Sequence, residues 1–188
     1  MAHPSSEDAA VTIRPAAEPD TALVVDFIRK LAEYGDIMDE THATAEDVRA
    51  ALFGPRPVAQ SLLAFVGSEP AGFVLFSYTF ASFLGKPGIY IEDFLVEQPY
   101  RNRGIGKELL IHLALLGKER GCGRIEWSVL NWNERAMEFY QDLGAVPLEE
   151  WTTFRLTGNA LDRLASEQDL SAKAASQRES SVTAHRKP

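Results

Sequence analysis

The sequence holds one cysteine, Cys122, and four histidines, His3, His42, His112 and His185, in 188 residues. A lone cysteine excludes an internal disulfide, as expected in a reducing compartment. The histidines share no ligand spacing, so no metal is expected. No apolar run approaches the roughly 18 residues that cross a bilayer, and the N-terminus, MAHPSSEDAA, has neither the basic nor the apolar stretch of a secretory leader. A cytoplasmic protein without membrane association is therefore expected. Basic residues are outnumbered 19 to 27, for a net charge of −8. That balance argues against general nucleic-acid binding, which needs a basic surface, and suits a cationic small substrate.

Apolar residues make up 45% and charged residues 24% of the chain, the composition of a globular domain with enough length to bury a core. Residues 1–10 and 166–188 are poor in large apolar residues and read as disordered tails, leaving a single folded domain over 11–165. Within it, VTIRP (Val11 to Pro15) reads as a strand, and Asp20 as the cap of a helix with the stripe Leu23, Phe27 and Leu31. A second helix is expected near Ala45 to Phe53, then two strands joined at Gly-Ser-Glu-Pro, then a strand from Ile89 to Val96. Ile105, Leu109, Leu113 and Leu116 recur at helical spacing up to Gly121. RIEWSVL (124–130) alternates as a strand, Asn133 caps a helix carrying Ala136, Phe139, Tyr140 and Leu143, and the segment from Val146 to Leu156 reads as strands. Strands on either side of helices predict an α/β or α+β sheet protein, not a bundle.

Between the strand IYIEDFLV and the third helix stands QPYRNRGIGKELL, two glycines among three cations. Glycines let backbone N–H groups approach an anion, and the following helix N-terminus adds its dipole. A phosphate loop of the form GxxxxGK[ST] is excluded, because Arg101 stands five residues before Gly106 and Glu108 follows Lys107. The dinucleotide pattern GxGxxG is excluded by Leu109 at the third glycine position. The pattern that fits is [Q/R]-x-x-G-x-[G/A], filled by Arg101-Asn102-Arg103-Gly104-Ile105-Gly106. The residues alone also admit a plain basic turn opening a surface helix.

In its context, with LVEQPYR entering the turn and NWNERAMEFYQDLGA after a further strand, this block resembles the acetyl-CoA pyrophosphate turn of the GNAT acetyltransferase superfamily. VTIRPA, LAEY, FASFLGKPGIYIEDFLV, YRNRGIG and NWNERAMEFYQDLGA are similar to the diamine branch, the spermidine/spermine and thialysine N-acetyltransferases, over about Val11 to Ala165. The resemblance implies a twisted mixed β-sheet splayed at its centre with helices on both faces, acetyl-CoA as co-substrate, and a homodimer. It assigns Phe94, Leu95 and Val96, the turn Arg101, Asn102, Arg103, Gly104, Ile105, Gly106 and Lys107, and Asn133, Arg135 and Ala136 to the cofactor.

Acetyl transfer to an amine needs a neutral nucleophile, yet an alkylamine with a pKa of about 10.4 is neutral in on the order of one molecule per thousand at pH 7, a cost of roughly 4 kcal/mol. A base is required. Glu92 and Asp93 are candidates, but neighbours on a regular strand face opposite sides, so both reach one cleft only if the strand is bulged. The resemblance implies such a bulge and gives Glu92 the substrate proton; a solvated strand end or a salt bridge would also account for both acids. Tyr140 sits on an apolar stripe and reads as a core tyrosine by pattern, whereas the resemblance makes it the acid that protonates the departing thiolate. Tyr34, Glu92, Asp93, Glu126, Trp127, Ser128, Glu149 and Trp151 are implied around the acceptor amine, with the acidic stretch Glu33, Asp36, Asp39 and Glu40 nearby. Gly35 follows Tyr34 where polyamine enzymes generally carry an acid, which favours thialysine, another diamine or a lysine-like amine over spermidine. A protein acetyltransferase and a non-catalytic acyl-CoA binding module are the competing readings.

Overall fold

The computed structural model describes residues 10–38 and 41–166. Asp39 and Glu40 of the acidic stretch, and most of both expected tails, lie outside the described residues. Five strands form one sheet in chain order: β1 (Val11–Pro15), β2 (Gln60–Val66), β3 (Glu69–Ala81), β4 (Lys86–Val96) and β5 (Ile125–Trp127). The first four pair antiparallel, and β5 runs parallel to β4, so the sheet is mixed.

Strand periodicity places the core on both faces. Leu62, Ala64, Val74, Phe76, Ile89 and Ile91 project to one side, where α3 (Ile105–Glu119) buries Ile105, Leu109 and Leu113 against them. Leu63, Phe73 and Leu95 project to the other, covered by α1 (Thr21–Gly35) and α2 (Ala45–Phe53) through Val24, Val25, Phe27, Val48 and Leu52. Helices therefore flank the sheet on both faces, as expected.

Three local expectations need correction. On α1 the fully covered residues are Val24, Val25, Phe27 and Ala32, with Leu23 and Leu31 at the margin, because the helix packs on both the sheet and α2 and so buries an arc wider than one stripe. Asp20 precedes α1 but its side chain does not cap it. Its φ and ψ are −81° and −1°, outside the extended region a capping side chain needs, and its carboxylate accepts from the Ala17 N–H and both terminal nitrogens of Arg14 instead. The strand expected over 124–130 shrinks to Ile125–Trp127, since β4 offers pairing only from Ile89 to Ile91.

Described residues up to Met137 pack as one compact unit, and those from Glu138 onward form a second. α4 (Glu134–Asp142) runs across that division. In the second unit, the strands expected over 146–156 are absent, and residues 158–166 are helical. A strand needs a neighbouring backbone for its ladder, and no strand exists among the described residues of that unit. Val146, Leu148, Trp151 and Phe154 stand exposed there.

Phe73 is completely buried and stacks on Phe27 with ring centroids 5.0 Å apart. Phe73→Ala is expected to cost ~3–5 kcal/mol of stability in chemical denaturation. Phe83→Ala, at a side chain 90% exposed, should change it by no more than about 0.5 kcal/mol.

Candidate active site

The site begins with an irregularity in β4. Asp93 lies opposite Leu75 and Ile91 opposite Phe76, so Glu92 is an extra residue with no partner on β3. Such a bulge reverses the alternation of side chains. Ile89 and Ile91 face α3 before it; Phe94 and Val96 face α3 after it, and Leu95 faces α1 and α2. Counting inward from either side, Glu92 and Asp93 fall on the same face, the one turned away from α3. Two adjacent carboxylates thus share a surface that a regular strand would have split between them.

Their environments differ. Glu92 is exposed and accepts a 3.2 Å hydrogen bond from the Ser77 hydroxyl of β3. Asp93 is partly buried, and burial, reinforced by the Glu92 charge, pushes its pKa up to about 6. β5 leaves β4 at the same point. Its last pair is Trp127 with Ile91, so among the described residues the edge of β4 from Glu92 to Val96 has no strand beside it. The Tyr90 phenol and the Ser128 hydroxyl, 2.9 Å apart, stand at the fork.

Directly after β4 the chain turns through Gln98–Tyr100 into α3. Gly104 takes the N-cap position at φ +78°, a left-handed conformation that any side chain would strain, and Asn102 is also left-handed at φ +62°. The first intrahelical bond is donated by Glu108 to the Gly104 carbonyl. The N–H groups of Ile105, Gly106 and Lys107 thus open the helix without intrahelical acceptors, as an anion site requires.

The turn is braced from several sides. Arg101 donates from Nε to the Val96 carbonyl at 2.9 Å, and its guanidinium lies 5.0 Å from the centroid of the Tyr34 ring. Arg135, on the first turn of α4, donates to Asn102 Oδ1 at 2.7 Å. Lys30 of α1 reaches Glu97, the residue before the turn, as well as Asp26. Arg103 lies 5.8 Å from the centroid of Tyr100. Asn133 caps α4 as expected, its side-chain oxygen accepting from the Ala136 N–H at 3.3 Å.

On the acceptor side, Tyr34 is about half exposed and its ring meets Trp132 at 5.8 Å. Glu126 pairs with Arg124 at 2.7 Å, and Trp127 packs against the α3 side of the sheet. Sequence reasoning did not single out Ser77, Lys30 or Glu97. Only the position of Glu97 at the mouth of the glycine turn offered a signal; Ser77 meets Glu92 through strand register alone. Among the described residues, no group of three His, Cys, Asp or Glu side chains could hold a metal ion.

The second unit holds Tyr140, Glu149 and Trp151. Glu149 and Trp151 are exposed. Tyr140 is partly buried beside Phe139, and burial pushes its phenol up to about 12, so it keeps its proton throughout the neutral range. Along α4, helical spacing sets Asn133, Ala136 and Tyr140 on one face.

Residues 26–145 match the model of the Acetyltransferase (GNAT) family. The chain belongs to that family. Its similarity extends to a thialysine N-epsilon-acetyltransferase from Bos taurus, 36% identical over 166 residues that span 82% of this chain and 97% of the relative. An L-ornithine N5-acetyltransferase from Arabidopsis thaliana is 48% identical over 94 residues, 50% of this chain and 41% of that protein. Among solved structures, an integron cassette protein from the mobile metagenome of V. cholerae superposes with a TM-score of 0.69 at 27% identity, over 82% of this chain and 97% of the other. GNAT acetyltransferases use acetyl-CoA as co-substrate, and this protein is an N-acetyltransferase.

The raised pKa of Asp93 has a measurable consequence. The folded protein holds that proton more tightly than the unfolded chain, so stability falls as pH rises from the usual carboxylate value of 3.8 to about 6. Asp93→Asn removes this penalty. The variant is expected to gain melting temperature relative to the parent at pH 8, with the gain shrinking toward pH 4, in thermal denaturation of the ligand-free protein.

Proposed function

We propose that this enzyme acetylates a primary amine of a small polycationic or lysine-like molecule (a diamine, polyamine or thialysine) by direct attack in a ternary complex. The observation that carries this reading is the bulge at Glu92, which puts two carboxylates on one face beside the open edge of β4. Paired acids of unequal environment suit a cation that must be held and then deprotonated. Relatives named for thialysine and L-ornithine support a substrate with a side-chain amine.

The residues present suit acetyl-CoA. A left-handed glycine at the mouth of a 15-residue helix, its added Cβ meeting nothing within 4 Å, leaves room for a pyrophosphate over Arg101 to Lys107. The stretch Phe94 to Val96, beyond the last β4–β5 pair, suits an extended amide-bearing arm, with one lone pair of the Val96 carbonyl already taken by Arg101. Asn133, Arg135 and Ala136 complete this surface. When bound, the co-substrate supplies an acetyl group activated as a thioester.

Glu92 and Asp93 hold the incoming ammonium and accept its proton at a carboxylate oxygen. A carboxyl titrating at about 6 is a stronger base than an ordinary one and is still mostly ionised at pH 7. Tyr34, Glu126, Trp127, Ser128, Glu149 and Trp151 surround the acceptor in this reading. The Tyr140 phenol holds a proton at its oxygen for the departing sulfur. The folded part, 11–165, works as one acetyltransferase domain in the cytoplasm. It pairs as a homodimer that covers the exposed Trp151 and Phe154, so a dimer mass is expected in light scattering at micromolar concentration, and a monomer mass would refute the pairing.

Thiol release from acetyl-CoA, measured against diamines, thialysine, ornithine, amino acids, aminoglycosides and peptides, tests the substrate class. Turnover confined to peptides would overturn it. With the best amine, Tyr140→Phe should lower kcat by about 10²-fold or more at unchanged acetyl-CoA affinity. A core tyrosine would instead lose at most about 1 kcal/mol of stability with little change in rate. Glu92→Gln should raise the KM of the amine and leave that of acetyl-CoA alone.

A further inference from the structure

We infer that Tyr34 positions the cofactor turn through Arg101, and that α1 thereby ties acetyl-CoA binding to the acceptor side of the site. This rests on the reading of Arg101 to Gly106 as the acetyl-CoA turn. The Nε of Arg101 is fixed on the Val96 carbonyl, and the guanidinium carbon lies over the Tyr34 ring, 5.0 Å from the centroid. Tyr34 in turn rests on Trp132, next to the Asn133 cap of α4. One turn earlier on the same helix, Lys30 pairs with Glu97. The last two turns of α1 thus grip the chain at its entry to the glycine turn by two contacts of different chemistry, one ionic and one between a cation and an aromatic face.

The Arg101 side chain carries this geometry, because a guanidinium can hold one acceptor in its plane while presenting a flat face to a ring. The left-handed residues Asn102 and Gly104 follow immediately, so a shift at Arg101 is passed to the N–H groups that open α3. Tyr34 is also an acceptor-side residue in the proposed function. An amine seated against it changes the hold on Arg101, and by linkage acetyl-CoA binding changes the amine site to the same degree.

Calorimetry with acetyl-CoA alone, on the full chain without amine, tests the inference. Tyr34→Leu, at a side chain 43% exposed, removes the ring without opening the core. It should weaken acetyl-CoA about three- to fivefold, the change expected from an exposed cation–aromatic contact. Tyr34→Phe, which keeps the ring, should stay within about twofold of the parent by the same reasoning. On an Arg101→Lys background, Tyr34→Leu should lose most of its effect, as coupled residues do. Gly106→Val, which blocks approach to the helix N-terminus, separates the two readings. Loss of binding in Gly106→Val together with unchanged affinity in Tyr34→Leu overturns the positioning role and leaves the turn as the site. Unchanged affinity in Gly106→Val overturns both.

Discussion

One extra residue in β4 organises this molecule. Glu92 has no partner on β3, and the side-chain alternation of the strand reverses around it. Before the bulge, β4 is an interior strand paired on both edges, and its apolar residues Ile89 and Ile91 face α3. After the bulge, among the described residues, it pairs with β3 alone. The same residue that breaks the ladder stands where pairing with β5 ends and gathers two carboxylates on one face. In a regular strand of the same sequence, Asp93 would point into the apolar layer beneath α3, where an ionised acid has no counterion among Ile89, Ile91, Leu109 and Leu113.

That gathering has an electrostatic cost, and the cost is useful. Asp93 is held partly out of water beside a like charge, so its ionised form is less stable than on an ordinary surface. A proton acceptor poised near neutrality is the result. Tyr140 shows the complementary case, since burial makes its phenolate costly and keeps its proton in place. At pH 7 Asp93 thus titrates closer to neutrality than an ordinary carboxyl while Tyr140 stays protonated, the first through burial beside the Glu92 charge and the second through burial.

What the sequence revealed divides along the range of the forces involved. The glycine turn was legible because a left-handed conformation is a local demand that glycine alone meets without strain, and Gly104 adopts it at the mouth of α3. The Asn133 cap and the α3 stripe were legible for the same reason. The bulge was expected through the resemblance alone, because it exists as a register between β3 and β4 and no single residue of IEDFLV announces it. The alternation of RIEWSVL promised seven residues of strand, yet only three pair, since strand length is set by the neighbour and β4 has already turned away. The alternating apolar residues Val146 to Leu156 failed as strands for a related reason: the pattern gives them a face to bury but no backbone within their own unit to pair with.

Arg101 shows how a motif residue can be read correctly in place and incompletely in role. A cation before a phosphate-shaped turn invites the reading that its charge meets the anion. In the fold its Nε is occupied by the Val96 carbonyl and its guanidinium lies over the Tyr34 ring. Its charge still acts on whatever sits at the helix N-terminus, but through distance, while its directional bonds fix the backbone. Lysine at this position would keep the charge and lose the planar geometry, and glutamine would lose the charge and keep a donor. A motif that tolerates arginine or glutamine but names no lysine is therefore selecting a planar, directional donor that can hold the strand end. The backbone N–H groups of Ile105, Gly106 and Lys107, which open α3 without intrahelical acceptors, follow directly on that brace.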